Sequence, residues 1–175
     1  MGLKFGFVVN KIRCKFAKKI KGYEIMNNYY RRGGAHIGKN CAILSNLDFC
    51  EKQLLYIGND VTVSSDVLFV THDASLCKHT QRSGALFGKI IIGNNCFIGQ
   101  RSMLMYGVTL ADDIIVAAGS VVTKSFVEKG AIIGGNPAKQ IGTVNEFAIK
   151  HFEQRMKLSE LNDAILKNDD RLIKK

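Results

Sequence analysis

An aliphatic residue returns at every sixth position from Ile92 onward: Ile92, Ile98, Leu104, Leu110, Val116 and Val122. The position after it is usually small (Gly93, Gly99, Ala111, Ala117). The fifth position of each hexad is small or β-branched (Cys96, Ser102, Val108, Ile114, Ser120). A period of six is neither the 3.6 of a helix nor the 2 of an ordinary strand. It suits a coil of short strands joined by tight turns. The aliphatic side chains then fill a narrow interior, and small residues sit at corners where a larger one would strike the neighbouring coils. Asparagine and glycine in "IGNN" and "IGKN" serve turns that need positive φ. A fainter copy runs through IGKNCA, ILSNLD, FCEKQL and, after "LY", IGNDVT, VSSDVL and FVTHDA. Cys41 and Cys96 hold equivalent places in it and read as small buried fillers.

The beat stops between Phe69 and Lys89, in "FVTHDASLCKHTQRSGALFGK". In a stacked repeat an insertion leaves at a turn without disturbing the coils, and such insertions often build a binding face. Residues 74–89 are polar and basic, so they are expected to project outward. His72 stands at the base of this excursion and His79 lies within it.

The chain carries 25 Lys and Arg against 15 Asp and Glu, a net charge of +10. An anionic partner follows: nucleic acid, membrane lipid, a phosphorylated cofactor or an acidic glycan. The excess lies largely in "KIRCKFAKKIKGY" and "RLIKK", with no aromatic platform or helix-turn-helix pattern beside it. Nucleic acid is therefore not the expected partner. There is no 18-residue apolar run and no signal-peptide pattern. Five cysteines without a C-x-x-C fit reduced thiols in a cytoplasm. Residues 1–36 form a basic, amphipathic, helical segment. It either caps the open end of the coil or, through 1–21, lies on the inner face of an anionic membrane. Residues 37–142 are the coil, with the excursion at 74–89. Residues 143–175 read as a helical tail that packs on the coil or a neighbour, opened by a capping-box spacing of Thr143 and Glu146.

The hexads from Ile37 to Gly142, with "GVTLADDIIVAAGSVVTKSF", "GGNPAKQIG" and "THD" before a long loop, resemble the hexapeptide-repeat acyltransferases, in the branch that O-acetylates sugars and polysaccharides. The resemblance implies a left-handed parallel β-helix with three six-residue faces per coil. It implies a homotrimer that binds acetyl-CoA in clefts between subunits and a sugar or glycan acceptor. It makes His72 the catalytic residue. It places Gln100, Ala118, Gly119, Thr123 and Lys124 along the CoA path and Lys139 near the nucleotide phosphates. The family often has a second basic residue three places after that lysine, where this chain has Gly142. The "GGNPAK" stretch also reads as no more than the turn that ends the coil.

The chemistry fits the assignment. An alcohol attacks a thioester poorly until a base removes its proton, and imidazole titrates near working pH. Asp73, adjacent on a strand, points away from His72 and reads as a loop anchor; with His79 it is the candidate acceptor contact. Carbonic anhydrases on this fold need three converging histidines, which the spacing here does not supply, so no metal is expected. The alternatives are a serine- or amino-sugar-directed acyltransferase on the same fold, or a non-enzymatic β-helix that binds anions. The second leaves "VTHD", the excursion and "NPAK" without a cause.

Overall fold

The computed structural model describes residues 23–49, 51–80 and 83–173. The expectation for the basic segment 1–21 lies outside the described residues. Helix α1 (Glu24–Arg32) comes first and buries Met26, Asn27 and Tyr30. The Asn27 amide donates to the Cys41 carbonyl at 2.8 Å, and the Tyr30 hydroxyl donates to the Ser45 carbonyl at 3.4 Å. This helix therefore covers the first coil.

Short strands follow: β1 (His36–Ile37), β2 (Ala42–Ile43), β3 (Leu55–Ile57), β4 (Thr62–Val63), β5 (Leu68–Phe69), β6 (His72–Asp73), β7 (Leu86–Phe87) and β8 (Ile90–Ile92). They continue as β9 (Phe97–Ile98), β10 (Met103–Leu104), β11 (Thr109–Leu110), β12 (Ile115–Val116), β13 (Val121–Val122), β14 (Ala131–Gly135) and β15 (Ala138–Thr143). Three sheets collect all of them but β6 and β7. The first holds β1, β3, β8 and β11. The second holds β2, β4, β9, β12, β14 and β15. The third holds β5, β10 and β13. All pairings in these sheets are parallel except β14 with β15.

The register measures each coil. Phe97 pairs with Ile115 and Met103 with Val121, eighteen residues on in both cases, which is three hexads. The six aliphatic residues of the beat are all at most 2 % exposed, so the period reports the interior directly. The glycines beside Ile92 and Ile98 are sterically required. A Cβ on Gly93 would lie 2.6 Å from the Ala111 carbonyl carbon, and one on Gly99 would lie 2.5 Å from the Ala118 nitrogen. At the corner between the first and second sheets, Asn94 donates its backbone N–H to Asp112 Oδ1, and Asn59 donates its own to Asn94 Oδ1. Their neighbours Asp60, Asn95 and Asp113 turn at positive φ.

Two coils are longer. Thr62 pairs with Phe97, thirty-five residues on, so the excursion adds seventeen. Ala42 pairs with Thr62, twenty residues on, so the coil before it carries two extra. Those two fall between β2 and β3, where a 3₁₀ turn (Lys52–Leu54) stands and no third-sheet strand forms among the described residues.

At the end of the coil the reading of "GGNPAK" as a turn holds. The closing phrase turns back as the antiparallel hairpin β14–β15, with Gly134 opposite Lys139, and does not complete a further parallel coil. Helix α2 (Val144–His151) opens with the capping box read from the sequence, both Thr143 and Glu146 taking part. It buries no residue, and Phe147, Ile149 and Phe152 stay more than half exposed. A short helix α3 (Leu161–Leu166) buries Ala164. The tail is helical as expected, in two short segments, Val144–His151 and Leu161–Leu166.

Candidate active site

The excursion is a hairpin at its base. His72 pairs with Phe87 and Asp73 with Leu86 across β6 and β7. Gly88 donates its N–H to the Thr71 carbonyl at 3.0 Å, closing the loop where it rejoins the coil. Most described residues between Ala74 and Lys89 are exposed, as expected of an outward insertion.

His72 sits at the corner between the third and first sheets, with its side chain 47 % exposed. Phe87 lies beside it, ring centroids 5.8 Å apart at a tilt of 40°. Its Nδ1 is 3.4 Å from Glu51 Oε2. The same carboxylate oxygen accepts from the buried Thr71 hydroxyl at 3.1 Å. Glu51 was not among the residues singled out by sequence. It comes from the two-residue extension of the preceding coil, and the one signal for it is the "LY" that shifts the beat there.

Asp73 faces elsewhere, as the alternation of a strand requires. Its Oδ1 accepts from the Ser75 N–H at 2.8 Å, and its Oδ2 from the Tyr106 hydroxyl at 3.3 Å. The Ser75 bonds, then the Tyr106 bond and the nearby His72, hold its carboxyl below the usual aspartate value of 3.8. Asp73 is a loop anchor. His79 follows the 3₁₀ turn Ser75–Lys78 and is exposed.

The candidate donor residues divide between two corners. Thr123 and Lys124 follow β13 and share the corner that carries His72 and Tyr106. The Lys124 ammonium lies 5.7 Å from the centre of the Phe126 ring. Gln100, Ala118 and Gly119 lie at the other edge of the third sheet, where the Gly119 N–H donates to the Gln100 carbonyl at 2.8 Å. The β14–β15 hairpin reaches this corner, since the Gly135 N–H donates to Ser120 Oγ at 3.2 Å. Lys139, opposite Gly134, is exposed there. Between the corners runs the column Leu68, Met103 and Val121, paired in register, with Leu68 55 % exposed.

Cys41 and Cys96 are buried at equivalent corners, 3.1 and 3.2 Å from the carbonyls of Gly58 and Ala111. Burial raises both thiols, Cys96 to about 11.

A hexapeptide-repeat signature, described for succinyl-transferase, matches residues 89–124. Protein CapG of Staphylococcus aureus is 37 % identical over 153 residues, covering 85 % of this chain and 88 % of its own. The chain belongs to the hexapeptide-repeat acetyltransferase family. Its fold is found in a maltose O-acetyltransferase from Clostridium difficile, with a TM-score of 0.52 at 22 % identity, covering 78 % of this chain and 88 % of that one. A galactoside acetyltransferase solved in complex with coenzyme A matches with a TM-score of 0.53 at 26 % identity. That match covers 66 % of this chain and 58 % of the other. Membership of the family makes this protein an acyl-CoA-dependent acetyltransferase.

Proposed function

We propose that the protein transfers an acetyl group from acetyl-CoA to a hydroxyl of a sugar or surface-polysaccharide unit, with His72 as general base. The observation that carries the reading is the position of His72. It is a half-exposed imidazole at the foot of the excursion, on the corner that also holds Thr123 and Lys124. The named relatives that acetylate galactoside and maltose support a sugar as acceptor. The cycle follows from ordinary acyl transfer. The acceptor oxygen bonds to the thioester carbon as its proton passes to His72. The tetrahedral oxyanion collapses, the C–S bond breaks, and the proton passes from His72 to the CoA sulfur.

The scaffold is read as a left-handed parallel β-helix, because from β8 to β13 the strands of a chain of this family fall on the first, second and third sheets in turn, twice over. A homotrimer is the working form. One chain presents the candidate donor residues on two corners separated by the apolar column at Leu68, and a neighbouring coil against that face supplies the second wall of a cleft. Lys124 and Lys139 contribute positive charge for the CoA phosphates, and Asp73 and His79 stand where the excursion meets the acceptor. The compartment is the cytoplasm, where acetyl-CoA and reduced thiols coexist. No described helix is long and apolar enough to cross a membrane. Kinetic comparison of the parent with His72→Ala, using acetyl-CoA and a panel of glycan acceptors, tests the reading.

A further inference from the structure

We propose that Glu51 is the positioning residue for His72, and that the two-residue lengthening of the preceding coil delivers it there. This inference rests on His72 being the base.

The two coils longer than eighteen residues are consecutive, and each gains its extra residues between its second- and first-sheet strands. The longer departure begins at His72. The shorter one ends in the 3₁₀ turn that Glu51 opens, where the Leu54 N–H returns to the Glu51 carbonyl at 2.9 Å. That turn sets the carboxylate below the excursion, with Oε2 3.4 Å from His72 Nδ1. The Thr71 hydroxyl donates to the same oxygen at 3.1 Å and fixes it from the residue next to His72. The Glu51 side chain is 21 % exposed against 47 % for His72, so the contact is shielded on the carboxylate side and open on the imidazole side. Among the described residues, the neighbouring charges Lys52 and Asp73 have other partners. Lys52 Nζ donates to the Phe49 carbonyl and lies 3.9 Å from Asp48, while Asp73 is held by Ser75 and Tyr106.

A neutral imidazole has one N–H and one bare nitrogen, and its partners decide which is which. A carboxylate beside Nδ1 selects the Nδ1–H tautomer and leaves the Nε2 lone pair for the acceptor. When the acceptor O–H breaks, its proton goes to Nε2. The Nδ1 proton stays on the ring and Glu51 stays ionised, facing the imidazolium it stabilises. The Nε2 proton then leaves with the CoA sulfur, and the dyad is restored without net change.

The test joins imidazole ¹⁵N spectroscopy to kinetics on the full chain and on Glu51→Gln, which keeps size and removes charge. In the parent the neutral His72 ring is expected as the Nδ1–H form, and in Glu51→Gln the Nε2–H form is expected to appear. Turnover is expected to fall roughly 10- to 10³-fold, part of the usual worth of an acid–base group. The KM for acetyl-CoA is expected to hold within about twofold, because the loss is confined to the transition state. Glu51→Asp, with its charge on a shorter arm, is expected to recover part of the loss. Adding Glu51→Gln to His72→Ala is expected to cost nothing further, since residues that act as one unit do not add. An Nε2–H ring in the parent overturns the proposal, and that reading needs no variant that folds. A Glu51→Gln loss that adds in full to His72→Ala also overturns it. If His72→Ala itself keeps normal turnover, the base assignment fails, while the tautomer still reports on the Glu51 contact.

Discussion

A Cβ placed on Gly88 would lie 2.4 Å from the backbone nitrogen of Gly107. The excursion therefore re-enters the coil through a gap that admits no side chain, one residue beyond Phe87, the strand partner of His72. Gly107 is glycine for a different reason: its φ is +78°, and space around its absent Cβ is open. Gly88→Ala is expected to force the excursion off its seat, at an overpacking cost of about 1–3 kcal/mol. Calorimetry should show a melting temperature lower by roughly 2–10 °C. Gly107→Ala should cost about 1–2 kcal/mol through backbone strain alone. Gly88→Ala is expected to lose more turnover than Gly107→Ala, because it displaces the strand paired with His72. Equal activity in the two variants would contradict this.

Alkaline pH gives a test of the corner thiols. Burial raises Cys96 from 9.0 to about 11, so the folded state holds the proton that the unfolded state gives up. Its contribution is fully present below pH 9 and is lost as pH rises through about 11. For a thiol 2 % exposed, the loss across that window is roughly 2–3 kcal/mol. Urea titrations at pH 8 and near pH 10.5 measure it, and Cys96→Ala is expected to show a smaller decline than the parent across that range. Identical pH dependence in the two would show that Cys96 does not titrate as a buried filler.

The interior of the coil was legible because its period is a direct image of burial. Ile98, Leu104 and Val116 are each 0 % exposed. Gly93 and Gly99, beside Ile92 and Ile98, are explained by the backbone of the next coil. The place of His72 at the foot of the excursion was legible because an insertion has to begin somewhere, and the histidine marks where. Glu51 was not. Its place beside His72 depends on which residues stack across coils, and an extension of two residues changes that register without leaving a motif. The β14–β15 hairpin was legible only as a turn, for a related reason. The "GGNPAKQIG" phrase marks a turn, but whether the chain continues parallel or folds back depends on the Gly134 and Lys139 pairing, which is a tertiary fact. The tail gave its cap at Thr143 and Glu146 because that signal is local. Where its apolar residues Phe147 and Ile149 point depends on contacts beyond it, and on this chain they remain exposed.

Phosphate recognition can be separated from chemistry. Lys124→Ala and Lys139→Ala are expected to raise the KM for acetyl-CoA more than they lower turnover, because such contacts bind ground and transition states alike. Their defect should overlap with the salt sensitivity of the parent, since screened attraction is what each removes. Titration calorimetry with CoA and dephospho-CoA isolates the 3′-phosphate. If Lys139→Ala still discriminates between them as the parent does, Lys139 is a surface charge on the hairpin.

Light scattering tests the shared cleft. The Leu68, Met103 and Val121 column lies between the two groups of candidate donor residues, and a trimer is expected to cover that face. A clean monomer with full activity would contradict a cleft built from two chains.

The central claim rests on one side chain, and turnover in His72→Ala measures it most directly. A fall of roughly 10²- to 10⁴-fold is expected, the usual worth of general acid–base catalysis. Acetyl-CoA binding is expected to stay near the parent value, because His72 acts on the acceptor proton, and His79→Ala is expected to be milder. Near-normal turnover in a folded His72→Ala protein would contradict the account.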